Sequence, residues 1–116
     1  PFPPRRSSEL GDLTTARYGV SATSNDTNER GVFIGGAAGA VVTMDYITIS
    51  STGNATDFGD LIIGRNYPAA CSDGTKERGV IAGGSLALYY DEIEYITINS
   101  PGNATVFGDL KVGRDF

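Results

Sequence analysis

Residues 30–36 read RGVFIGG and residues 78–84 read RGVIAGG, forty-eight positions further on. Around this pair much of the chain is written twice. YITI at residues 46–49 returns at 95–98, and GNAT at 53–56 returns at 102–105. Gly-Asp-Leu begins at Gly11, Gly59 and Gly108, and an arginine follows six residues after each glycine, at Arg17, Arg65 and Arg114. Repetition with a period of roughly 40–50 residues means that one supersecondary unit is built more than once. Such a unit does not bury its faces alone, so neighbours constrain it before any chemistry does.

The composition sets the class of that unit. The chain has 116 residues, the length of one small domain, with 16 glycines suited to many tight turns. Its apolar content is carried by valine, isoleucine, tyrosine, phenylalanine and threonine, and helical spacing is sparse, so the fold class is all-β. A Pro-rich arm is expected over residues 1–10, one repeat over 11–58, a second over 59–107, and the start of a third over 108–116. Residues 8–13 (SELGDL) parallel 56–61 and 105–110 and read as the tail of an earlier unit's fourth strand, with Leu10 where Phe58 and Phe107 stand later. Four short strands are expected in the first unit, at residues 18–24, 31–35, 41–50 and 55–61. The second unit offers 67–72, 79–83, 88–99 and 104–112. Turn residues separate them: NDTN at 25–28, DGTK at 73–76, TGN at 52–54 and PGN at 101–103. Four antiparallel strands per unit is the content of a propeller blade.

With those strands placed, the pattern resembles the kelch repeat. Arg17, Gly35-Gly36, Tyr46 and Phe58 fill its arginine, double-glycine, tyrosine and aromatic places in one unit. Arg65, Gly83-Gly84, Tyr95 and Phe107 fill them in the next. Phenylalanine stands where kelch has tryptophan, and an acid precedes the tyrosine (Asp45, Glu94) instead of following it. The longer phrase NAT-x-FGDL…R…ERGV-x-x-GG is similar to repeats in structural proteins of marine phages. The resemblance implies two kelch-like blades, part of a ring that other chains complete.

Each recurrent residue has a structural reading. The glycine pairs suit close strand approach and positive φ; a phosphate cradle would need a helix N-terminus, and no helix is expected. Tyr46, Tyr95, Phe58 and Phe107 are expected in the inter-sheet core. Ile47 and Ile49 should share one face of the third strand, opposite Tyr46 and Thr48. Asp12 and Asp60 are expected to pair with Arg17 and Arg65. Asn-x-Thr at Asn54, Asn103 and Asn25 matches a glycosylation acceptor, but turn formation accounts for the first two. A possible ligand surface is Tyr89, Tyr90, Asp91 and Asp45.

Catalysis is not expected. Without histidine there is no imidazole base and no common zinc or copper ligand, so no metal or other cofactor is expected. The formal net charge of −5 argues against nucleic acid, and no apolar run is long enough for a membrane-spanning helix. Cys71 is the only cysteine, which precludes an intrachain disulfide. The expected function is a non-catalytic structural or adhesive component of a virion or other extracellular assembly. Its partners would be copies of the chain in a ring of three or four, or other chains of the assembly. The alternatives are a glycan-binding propeller lectin and a kelch-type protein-interaction module.

Overall fold

Period-two alternation of β-branched and aromatic residues, interrupted by glycine and asparagine turns, produces eight short strands. The computed structural model describes residues 11–25, 29–37, 41–73, 77–85 and 91–111. The strands are β1 Ser21–Ser24, β2 Arg30–Ile34, β3 Thr43–Thr48, β4 Thr56–Asp60, β5 Ala69–Ser72, β6 Arg78–Ala82, β7 Glu92–Thr97 and β8 Thr105–Asp109. They form two four-stranded antiparallel sheets, β1-β2-β3-β4 and β5-β6-β7-β8, and no helix occurs among the described residues.

Register puts apolar side chains on both faces of each sheet. In the first, Val32 pairs Tyr46 and Ile34 pairs Met44 on one face, while Gly31 pairs Ile47 and Phe33 pairs Asp45 on the other. The second sheet repeats this with Val80–Tyr95, Gly79–Ile96 and Ile81–Glu94. The expected split of β3 between Ile47 and Tyr46 is thus present. A bulge recurs as well: β3 steps from Met44 to Asp45 while β4 steps from Gly59 to Asp57, so Phe58 is the extra residue. Phe107 takes the same place in β8.

The sheets stack face to back. One buried cluster joins Val32, Ile34, Met44 and Phe58 of the first sheet to Ile81, Ile96, Ile98 and Ala104 of the second. The second sheet therefore contributes the face equivalent to Ile47, and the first contributes the face of Tyr46. At one margin β1 lies against β5, and the Ser72 hydroxyl donates to the Ser24 carbonyl.

Some expected boundaries shift. The unit boundary at 58/59 falls inside β4, and the sheets separate across residues 61–68. The first strand of each unit starts later than expected. Positive φ at Gly19 (66°) and Tyr67 (54°) interrupts the ladder, leaving Tyr18–Ala37 and Asn66–Ser85 as isolated bridges. The arm at residues 1–10 and the segment 112–116 lie outside the described residues.

Candidate functional site at the uncovered sheet faces

The recurrent arginines enter each sheet from the connection that precedes its first strand. Arg17 Nη2 meets Asp45 Oδ2 at 3.1 Å, and Nη1 donates to the Thr43 carbonyl at 2.9 Å. Asp45 also accepts from the Thr14 amide (3.1 Å) and the Thr14 hydroxyl (2.6 Å). In the second sheet Arg65 Nη2 meets Glu94 Oε2 at 2.6 Å, and Nη1 donates to the carbonyls of Gly83 (2.7 Å) and Glu92 (3.0 Å). Glu94 accepts from the Ile62 amide at 2.7 Å, in the place of Thr14. All four side chains are enclosed. Burial pushes the Arg17 guanidinium below its ordinary pKa, against the opposing pull of Asp45.

These contacts correct two expectations. The acids facing Arg17 and Arg65 are Asp45 and Glu94, not Asp12 and Asp60, because the connection delivers each guanidinium to the inner part of β3 or β7. Asp45 is fully buried and takes no part in a ligand surface. Asp12 and Asp60 instead act through their main chains. The amide of each donates to an asparagine Oδ1, Asn54 or Asn103, both at 3.0 Å. Their carbonyls accept from Ala55 and Ala104 at 2.8 and 2.9 Å. Asn54 and Asn103 were thus readable as motif partners, since each lies forty-two or forty-three residues after the aspartate whose amide it binds.

The glycine pairs Gly35-Gly36 and Gly83-Gly84 are buried at positive φ, and the Gly36 amide donates to the Arg65 carbonyl at 3.0 Å. Gly35-Gly36 thereby ties the first sheet to the connection before the second, and a Cβ at Gly35, Gly36 or Gly84 would lie 2.8, 2.6 or 2.7 Å from the carbonyl oxygen of Arg65, Tyr18 or Asn66. Of the other ligand candidates, Asp91 is exposed and Tyr89 and Tyr90 lie outside the described residues. No group of three or more His, Cys, Asp or Glu suited to a metal occurs among the described residues.

The sheet-to-sheet contact is built on an aromatic–cation cluster. The Tyr46 and Phe58 rings meet edge to face at 5.9 Å, and the Arg30 guanidinium lies 4.3 Å over Tyr46. Arg30 Nη1 then reaches across to the Ile98 carbonyl at 3.1 Å. Asn25 Nδ2 crosses at the same end to Glu77 Oε1 at 2.8 Å. The second sheet carries an equivalent cluster: Tyr95 and Phe107 at 6.1 Å, with Arg78 4.2 Å over Tyr95. Nothing covers it. Phe58 is 3 % exposed and Phe107 53 %, so Phe107 is not in the core as expected.

The opposite end of the stack is also open. Ile98 is fully buried, whereas its counterpart Ile49 is 57 % exposed. Ile49 lines a hollow of about 390 Å³ with Leu13, Val20, Phe33 and Ile47. Among the described residues the stack therefore ends in two different apolar faces, each a copy of one half of its internal contact. Comparison with protein-family models and with curated proteins found no match to this chain.

Proposed function

We propose that this chain is a non-catalytic assembly module, a pair of kelch-like blades whose two end faces join further copies head to tail. One observation carries the reading: residues buried between the sheets have exposed counterparts at both ends, Phe58 against Phe107 and Ile98 against Ile49. A heterologous contact of this kind closes into a ring when its rotation allows. Three chains would supply six blades and four would supply eight, within the usual propeller range of about 4–8. The setting in a virion or other extracellular particle, as a structural or adhesive component, rests on the phage-like repeat phrase alone. The lectin alternative is weakened because Asp45 is enclosed by Arg17 and Thr14.

Native mass spectrometry across a concentration series tests the reading. Multi-chain species are expected, and Phe107→Glu or Ile49→Glu should return them to single chains. Assemblies indifferent to both substitutions would overturn it, since the contact would then lie elsewhere.

A further inference from the structure

The Gly-Asp-Leu motif occurs three times, and two of the three occurrences make the same contact. At residues 59–61 it ends β4 and rests on the turn between β7 and β8. The Asp60 amide donates to Asn103 Oδ1, the Asp60 carbonyl accepts from Ala104, and a Cβ on Gly59 would lie 2.2 Å from the Gly102 carbonyl oxygen. At residues 11–13 the motif rests on the turn between β3 and β4. The Asp12 amide donates to Asn54 Oδ1, its carbonyl accepts from Ala55, and a Cβ on Gly11 would lie 2.0 Å from the Gly53 oxygen. The φ angles agree too, 149° at Gly59 and 151° at Gly11. Residues 11–13 thus sit on the first sheet as the strand end of a preceding sheet would.

The third occurrence, residues 108–110, ends β8. The Leu110 amide donates to the Asp91 carbonyl at 2.6 Å, as Leu61 donates to Val42 at 2.9 Å, so this end is held to its own sheet in the same way. Asp109 pairs Glu92 in the register by which Asp60 pairs Thr43. Its amide and carbonyl therefore point outward, and Gly108 has nothing within 4 Å of a Cβ position.

We propose that the β3–β4 turn at Gly53, Asn54 and Ala55 is a receptor for Gly-Asp-Leu, and that residues 108–110 of a second copy dock there by displacing the chain's own residues 11–13. This rests on the head-to-tail reading above and gives it a mechanism. The resident segment is a plug of the same sequence as the incoming one. Both bind through one asparagine acceptor, one alanine amide and a glycine that clears a carbonyl. Exchange conserves these contacts, so the gain on assembly comes from covering Phe107, Ile49 and their neighbours. Association is accordingly limited by release of the plug.

Two glycine variants of the full chain test this, with sedimentation velocity over a concentration series as the readout. Gly11→Val drives a side chain into the Gly53 carbonyl and ejects the plug; Leu13 leaves the Ile49 hollow with it, where the incoming Leu110 would take its place, and Ile49, Val20, Phe33, Ile47 and Phe107 are untouched. This variant should tighten association by about tenfold in Kd. Gly108→Val has open space in the single chain, and a β-branched residue suits the strand there. Docked, it would strike the partner's turn carbonyl as a Cβ on Gly59 would strike Gly102, so it should abolish association without moving the thermal midpoint. It needs no compensating change to fold and decides the matter alone if Gly11→Val folds poorly. Association that Gly108→Val leaves intact would overturn the exchange and leave the assembly reading standing. Single chains throughout, in the parent and in a folded Gly11→Val, would remove both.

Discussion

Arg65 is fully buried, and its two outer nitrogens meet one carboxylate and two main-chain carbonyls among the described residues. A planar fork suits that arrangement and a lysine ammonium does not. Arg65→Ala leaves Glu94 buried against the amides of Ile62 and Ile63, with its cation gone. Breaking such a pair costs about 3–5 kcal/mol, a large share of a small domain's stability. Urea denaturation should show a midpoint fallen by that equivalent for Arg65→Ala, and a clear loss for Arg65→Lys. Recurrence made the arginines legible in sequence, but not their partners. Asp45 and Glu94 differ in type, and only the pairing of strands brings each onto its arginine. The Gly-Asp-Leu aspartates recur identically and so looked like the partners, although their main chains make the contact.

Strand content was legible at the scale of elements, because period-two alternation and glycine turns are local properties. The bulge was not, since it exists only in the pairing of two strands. Its effect is to put Phe58 and Gly59, adjacent in sequence, both toward the second sheet. Phe58 enters the core while Gly59 meets the Gly102 carbonyl. The expected boundary at 58/59 cut through this unit. The repeat supplies its own control experiment, because Phe107 and Gly108 form the same device with nothing in front of it. Gly59→Ala forces a methyl to 2.2 Å from a main-chain oxygen and a non-glycine residue to φ 149°. A loss of on the order of 1–3 kcal/mol is expected from such overpacking. Gly108→Ala should change stability by no more than about 0.5 kcal/mol. Equal losses at the two sites, measured by chemical denaturation under the same conditions, would contradict the account of the bulge.

At the scale of the whole molecule, the question is how well the two ends fit one another compared with the internal contact. Several positions are conserved in kind, Tyr46 as Tyr95, Ile96 as Ile47 and Ala104 as Ala55. One substitution compensates: Ile34 and Ile81 share the internal core, and their counterparts at the ends are Ala82 and Phe33, a small residue facing a large one. Another does not. Asn25 donates to Glu77 between the sheets, but a docked copy would bring Asp73 to Glu29. Glu29 and Glu77 share the same unusual positive φ, 52° and 60°, and both carbonyls receive an isoleucine amide at 2.7 Å, so the two acids occupy equivalent sites. In the proposed junction two carboxylates would stand where an amide and a carboxylate stand internally, and their repulsion would weaken it at low ionic strength. Asp73→Asn should restore the internal arrangement. The Arg78 amide keeps its oxygen acceptor, as Arg30 does on Asn25. Sedimentation in low salt should show association tightened by about ten- to a hundredfold by Asp73→Asn, on the scale of one hydrogen bond to a charged group. Added salt should strengthen association of the parent more than that of the variant; each copy also carries a net negative charge, formally −5 in the parent, that salt screens in both. A parent whose association weakens with salt, or a variant that matches it in low salt, would mean that the two acids do not meet and that the ends join in a different register.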